Sequence, residues 1–389
     1  MAHCVEEIVD CSHRESTMRI TDIQTFAVEP RWLFVKVSTD EGIIGWGECL
    51  GDKAFVIAEA VRSYEHVLRG EDPDRILHLV QRMYRHAFWR GGPVLNAAIS
   101  GIEMALWDIQ GKRLGVPVYQ LLGGKVRERV RVYRHIGSYE PTQIAEQARQ
   151  RVAEGYTAVK FCPLPALHPL ESPATIEKAV ELVAAAREAV GNGVDILLDF
   201  HGRATPAVAT QLEYELRPYR PFFIEEPVLP ENVDALASVA SKAVIPIATG
   251  ERLFTRFGFR QVLEKGAARV LQPDPCICGG ILETRYIAAM AETYYVALAP
   301  HNPYGPVNLA ACLQIDACSP NFVIQEFVHL GEGYLKNPFT VRDGYIDVPD
   351  APGLGIEIDE NYLREHPLSP KPDPGSGFFH ADDGSVAEW

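Results

Sequence analysis

From residue 130 to residue 326 the chain repeats one unit: a short apolar run that ends in polar residues, then an amphipathic stretch of helical period. Runs of this kind lie at 130–136, 158–162, 196–201, 222–226, 246–251, 269–273, 296–300 and 323–326, and segments such as 144–154, 176–190 and 233–241 separate most of them. Parallel strands need a long crossover between them, and a helix is the usual one. Eight strands at this spacing over about 200 residues therefore predict a (β/α) barrel or a close variant. A doubly wound open sheet is the structural rival. No G-x-G-x-x-G turn between a strand and a helix supports it.

The stretch before the repeat reads differently. Residues 20–29, 32–38 and 43–48, with a turn at 39–42, have the pattern of a small antiparallel sheet. Helical periods follow over 54–121, including a segment at 95–114 whose apolar residues Ile99, Ile102, Leu106 and Ile109 recur at 3–4 spacing. Strands followed by helices indicate a compact α+β domain. The first seventeen residues have neither an apolar leader core nor periodicity, so 1–17 is expected to be a disordered tail or an upstream start before Met18. The expected organisation is 18–129 as an α+β capping domain, 130–340 as the barrel, and 341–389 as a further segment.

Composition narrows the function. The 37 basic and 52 acidic residues leave a net charge of −15, and such a surface repels phosphate backbones, which excludes nucleic acid as a partner. A small anionic substrate then needs a local positive feature, such as a metal. No window approaches 18 uninterrupted apolar residues, so no membrane span is expected. The 8 cysteines are scattered through a long chain, a pattern of the reducing cytoplasm. Cys276 and Cys278 form a C-x-C, but no second pair has the spacing of a zinc site.

Chemistry in a barrel sits at the C-terminal ends of the strands. The third run ends Asp199-Phe200-His201, the fourth Glu225-Glu226 and the fifth Gly250-Glu251-Arg252. One carboxylate at the end of each of three consecutive strands gives three like charges at one point of the mouth. A hard divalent cation removes the repulsion, and an all-oxygen site suits Mg²⁺. Pairing of each acid with Arg203 or Arg252 is the alternative. Strand alternation puts His201 on the same face as Asp199, beside the metal. The sixth run ends in Asp274 and the seventh in His301, close enough for the carboxylate to orient the ring. Glu326 closes the eighth across the mouth from His201, and Lys160 on the second either pairs with the acids or takes part in catalysis. A carboxylate substrate on Mg²⁺ has its α-proton acidified. One histidine can remove that proton while the other protonates a departing β-hydroxyl.

Several motifs make the chain from 18 to 389 similar to the enolase superfamily, in its mandelate racemase-like branch: RGGP at 90–93, ALWDI at 105–109, LLDFHGR at 197–203, FIEEPV at 223–228, GER at 250–252, LQPD at 271–274, LAPH at 298–301, QE at 325–326 and SVAEW at 385–389. DFHGR and SVAEW point to its sugar-acid dehydratases. The resemblance implies an α+β capping domain over a (β/α)7β TIM-like barrel, with 341–389 returning to the cap. It implies Asp199, Glu225 and Glu251 as Mg²⁺ ligands, His301 as the base for the C2 proton with Asp274 as its partner, His201 as the acid for the 3-hydroxyl, and Glu326 as the stabiliser of the enediolate. Arg31, Trp32, Trp89, Lys160 and Cys162 are the implied substrate contacts. The implied substrate is a small sugar acid, D-galactonate first, giving the 2-keto-3-deoxy acid. Gluconate, arabinonate and fuconate are alternatives, and an epimerase or a non-catalytic sugar-acid binder are more distant ones. A homo-oligomer is also implied. The chain departs from the branch at Lys160-Phe161-Cys162, where racemases carry K-x-K and the dehydratases an amide at the Cys162 position, and at Pro275-Cys276-Ile277-Cys278, Asn302 and Tyr304.

Overall fold

The computed structural model describes residues 18–369, 379–380 and 382–388, so the expected tail at 1–17 lies outside the described residues. Strands β1 (Ile20–Val28), β2 (Trp32–Thr39) and β3 (Ile44–Cys49) form the expected antiparallel meander. The helix Gly92–Leu114 lies across it and is buried over most of its length. Two glycines permit this contact: a Cβ at Gly45 would come within 2.0 Å of the Ala105 carbonyl oxygen, and one at Gly47 within 1.9 Å of that of Gly101. At these two positions the sheet therefore rests directly on helix backbone.

The repeat builds a parallel sheet of seven strands in sequence order: β5 (Arg134–His135), β6 (Ala158–Phe161), β7 (Asp195–Asp199), β8 (Phe223–Glu225), β9 (Ile247–Thr249), β10 (Val270–Leu271) and β11 (Ala297–Leu298). The first expected strand, 130–136, is divided. Its leading part, β4 (Arg129–Arg131), pairs with a hairpin of β12 (Val341–Arg342) and β13 (Tyr345–Asp347), and only its end enters the barrel. The eighth expected strand, 323–326, makes single bridges instead of a ladder. Phe322 bridges Leu298 and Gln325 bridges Val132, with Val323 N–H donating to the Leu298 carbonyl at 2.9 Å and Gln325 N–H to that of Arg131 at 2.9 Å. These bonds close the ring, giving the (β/α)7β barrel of the enolase type.

Strand alternation sorts the core. Val159, Ile196, Leu198, Ile224, Ile247 and Leu271 face outward and pack with helix residues such as Ile144, Leu182 and Leu212. A second cluster takes one residue from each barrel position: Tyr133, Ala158, Leu197, Phe223, Ala248, Val270, Ala299 and Ile324. It plugs the interior, as layered side chains do in such barrels. Segments beyond the barrel touch the first sheet and the helix Gly92–Leu114. Leu354 N–H donates to Asp108 at 2.9 Å, Val28 bridges Pro367, and Lys36 pairs with Glu360 at 2.6 Å. Among the described residues no helix is long and apolar enough to cross a membrane.

Candidate active site

Each interior residue of the plug is followed, two positions later on the same strand face, by a residue of the mouth. Tyr133 gives His135, Ala158 gives Lys160, Leu197 gives Asp199, Phe223 gives Glu225, Ala299 gives His301 and Ile324 gives Glu326. The fifth strand breaks the rule. Its register position is Gly250, at φ +149°, where a Cβ would lie 2.8 Å from the Gln272 backbone, and the carboxylate comes one residue later, at Glu251. His201 is also off register. The strand ends at Asp199, and His201 sits in a turn at φ +51° with its N–H donated to Asp199 Oδ1 at 2.9 Å. Strand alternation is therefore not what puts His201 beside Asp199; a left-handed turn does.

Carboxylate oxygens of Asp199, Glu225 and Glu251 lie within 4.8 Å of one another. Burial, then the nearby Asp199 charge, pushes Glu225 well above the usual carboxylate range, and burial pushes Glu251 up to about 7. Asp199 is also buried, but Lys160 and His201 outweigh that and hold it below its ordinary value. Arginine pairing does not neutralise the cluster: Arg252 turns to Glu226, donating Nε–H at 3.1 Å, and Arg203 donates to the Leu164 carbonyl and to Cys162 Sγ. The cation that reaches the acids is Lys160, whose Nζ is 3.1 Å from Asp199, 2.6 Å from Glu225 and 3.2 Å from Glu326. Glu225 Oε1 and Glu251 Oε2 are buried without a hydrogen-bond partner among the described residues. Converging, unsatisfied, all-oxygen donors fit a hard divalent cation.

The two imidazoles flank this cluster at its two ends. His201 Nε2 is 3.2 Å from Asp199 Oδ2, and His301 Nε2 is 3.3 Å from Glu251 Oε2. Burial lowers the pKa of His201. Burial also acts to lower that of His301, but Glu251, Glu326 and Asp274 overcome it and raise it well above the usual value. His301 Nδ1 is 2.8 Å from Asp274 Oδ2, while Asp274 Oδ1 accepts from Cys276 N–H at 2.8 Å and from Asn308 Nδ2 at 3.1 Å. Asn308 is itself fixed by the cap: its backbone N–H donates to Glu48 Oε2 at 2.8 Å, and Gly305 N–H donates to Glu48 Oε1 at 2.6 Å. Glu326 accepts from Asn302 N–H at 2.8 Å and is 2.8 Å from His135 Nε2. Its burial is outweighed by Lys160, His301 and His135, which hold it ionised well below its ordinary range.

Asp199, His201, Glu251, His301 and Glu326 line one cavity of about 840 Å³, together with Arg31, Lys160 and Cys162. Glu225 and Asp274 stand behind that wall, fully buried. Arg31 pairs with Asp52 at 2.7 Å, and Tyr304 O–H donates to the other oxygen of Asp52 at 3.0 Å, joining the cap loop to the segment after His301. Two expected substrate contacts do not reach the cavity. Trp32 is 2% exposed and packs on Tyr334 with centroids 4.5 Å apart, because β2 turns it into the cap core. Trp89 is 84% exposed and its ring meets Phe88 edge-on, because the loop before Gly92–Leu114 carries it into solvent. His135, Asn308 and Glu48 were not among the expected residues. The two-residue step from Tyr133 would have found His135; nothing local marks Asn308 or Glu48.

The sequence pattern of the enolase C-terminal domain-like family matches residues 143–362, and that of the mandelate racemase/muconate lactonizing enzyme N-terminal domain matches 12–123. The chain is 46% identical over 383 residues to a D-galactonate dehydratase of Ralstonia pickettii (strain 12J), an alignment covering 96% of this chain and 100% of that one. It is 43% identical, with the same coverage, to a D-galactonate dehydratase of Pectobacterium atrosepticum. Among solved structures, a mandelate racemase/muconate lactonizing enzyme from Sulfitobacter sp. superposes with a TM-score of 0.88 at 36% identity, covering 92% of this chain and 97% of that one. An enolase superfamily member from Salmonella Typhimurium gives 0.86 at 34% identity, covering 90% and 98%.

Proposed function

Because the chain belongs to the mandelate racemase/muconate lactonizing enzyme family of the enolase superfamily, we propose that it dehydrates a sugar acid, D-galactonate, to the 2-keto-3-deoxy acid. The observation that carries this reading is the pair of imidazoles at opposite ends of the carboxylate cluster, one with its own buried aspartate. A binder has no need of such a pair. Mg²⁺ held by Asp199, Glu225 and Glu251 would supply the positive charge that neutralises the cluster and acidifies the C–H next to a bound carboxylate.

The protein's own groups then divide the proton traffic. His301, in its neutral form, takes the C2 proton at Nε2 while Asp274 holds the Nδ1–H. His201, in its protonated form, gives its proton to the 3-hydroxyl, and the C3–O bond breaks to release water. The enol left behind tautomerises to the keto acid. Glu326 stands on the same cavity wall, as the group that stabilises the enediolate. Its part is to anchor the Lys160 ammonium and the His135 ring, which are donors on that wall. A racemase needs two opposed bases, and the second strand offers only Lys160 where K-x-K would supply another.

The test is a panel of aldonic acids incubated with enzyme and Mg²⁺, with and without EDTA, and assayed for 2-keto-3-deoxy acid. Product from D-galactonate that disappears with EDTA is the expected result. Product from gluconate, arabinonate or fuconate alone keeps the mechanism and corrects the substrate, with Cys162 as the position that differs from the amide of the dehydratases. An unchanged aldonate throughout, with C2 protons that do not exchange in D₂O, would overturn the reading.

A further inference from the structure

The loop that leaves β6 meets a turn near residue 380 in a second cluster of metal-ligating side chains, apart from the cavity. His168 stands in that loop, and His380 and Asp382 stand in the turn. The two imidazoles stack with centroids 3.9 Å apart and planes inclined by 14°, and His168 Nε2 is 3.3 Å from Asp382 Oδ2. One ligand atom from each of the three residues lies within 4.8 Å of the others. The turn does not use Asp382 for its shape. Phe379 bridges Val386, His380 N–H donates to the Ser385 carbonyl at 2.9 Å, and the Ser385 N–H and O–H both donate to Asp383 Oδ1. Asp383 organises the turn, and Asp382 reaches out to the loop.

We propose that His168, His380 and Asp382 bind a transition-metal dication of the Zn²⁺ class, which ties this turn to the loop beside the cavity. Two imidazole nitrogens and one carboxylate are a borderline donor set, which favours Zn²⁺ over Mg²⁺, whereas the all-oxygen triad has the opposite preference. Ligand atoms of a tetrahedral zinc site stand about 3.3 Å apart, the separation His168 Nε2 and Asp382 Oδ2 already have, so closing the cluster takes a movement of at most about 1.5 Å, with the rings turning out of their stack. The side chains have room for it, His168 being 39% and Asp382 69% exposed. The loop is tied to the wall at several points. The Leu164 carbonyl accepts from Arg203 and from Tyr139 O–H, and the Pro169 carbonyl accepts from Thr205 Oγ1 at 2.8 Å. Arg203 and Thr205 belong to the segment that follows His201, so a metal at His168 would stiffen the wall from outside.

The experiment is a Zn²⁺ titration against a chromophoric chelator, with the full chain kept in excess Mg²⁺ so that the triad is occupied. One Zn²⁺ per chain is expected, unchanged in Glu251→Gln. His168→Ala and His380→Ala should each weaken it by more than about tenfold, the loss that even an outer-shell change produces. Zn²⁺ should also slow carboxypeptidase trimming of the wild-type chain and not of His168→Ala. No zinc beyond what Glu251→Gln abolishes, or equal zinc affinity in wild type and His168→Ala, would overturn the proposal. Neither outcome depends on the dehydratase reading.

Discussion

Lowering the pH should weaken Mg²⁺ binding by a calculable amount. Glu251 has an ordinary value of 4.5 and is pushed up to about 7 in the metal-free fold, first by burial and then by its acidic neighbours. A carboxyl must lose its proton to ligate, so the cation competes with that proton. Below about pH 7 the apparent affinity should fall about tenfold per pH unit, and above it the curve should flatten. That slope and plateau are those of Glu251 alone; Glu225, raised well above the usual carboxylate range by burial and then by Asp199, adds its own competition and carries the rise to higher pH. The sign for stability follows. The raised value means that the folded state holds the proton more tightly than the unfolded chain, so this stabilisation is present below pH 4.5 and is lost as pH rises through about 7. Mg²⁺ replaces it in the upper range, and the rise in Tm on adding Mg²⁺ should therefore be larger at pH 8 than at pH 6. Calorimetric titration at pH 6, 7 and 8 reads the affinity directly. Glu251→Gln should bind more weakly at pH 8 and show a shallower slope. An affinity constant to within about twofold between pH 6 and 8 would refute both the raised carboxyls and the ligand assignment.

The histidines make different predictions from each other: His301→Asn should abolish both dehydration and exchange of the C2 proton in D₂O, whereas His201→Asn should abolish dehydration and leave exchange in place, as read by proton NMR. Asn308→Ala leaves Asp274 with one donor fewer and should lower kcat about tenfold with KM little changed, since the hydrogen bond to a charged group is worth about 1.5 kcal/mol or more; a change confined to KM would remove Asn308 from the positioning of His301. Gly47→Ala would put a methyl 1.9 Å from the Gly101 carbonyl oxygen and should destabilise the chain by about 2–3 kcal/mol in denaturant unfolding. Cys162→Asn changes a cavity-lining side chain whose hydrogen bonds go to Leu164 and Arg203, so it should alter the ratio of kcat/KM between aldonates and leave Mg²⁺ affinity as it was.

What the sequence makes legible here is what register controls. Asp199, Glu225, His301 and Glu326 stand two residues beyond interior apolar residues, and any chain that alternates in this way must bring them to one rim. His135 obeys the same arithmetic through Tyr133; it escapes notice because the run at 130–136 reads as one strand, when its first half is taken by the hairpin of β12 and β13. Where the rim departs from register, the cause is a backbone turn: Gly250 moves the third carboxylate on by one residue, and the left-handed His201 turns its ring back to Asp199. The motif identifies these residues, but at both positions a backbone turn, and not strand alternation, sets the place of the side chain. Contacts between the two parts of the chain are a third kind. Glu48 reaches Asn308 across a separation of 260 residues, and no local pattern encodes that hydrogen bond. The same division separates reaction from substrate. Most of the residues proposed to move protons or hold the metal are on the rim that the barrel repeat builds, while Arg31, Cys162 and Tyr304 lie on loops whose positions depend on how cap and barrel close. Trp32 and Trp89 show the consequence: both have the side chain of a substrate contact, yet β2 buries one and a loop exposes the other. Changing substrate therefore requires altering the loops, and changing the reaction requires altering the register of a strand.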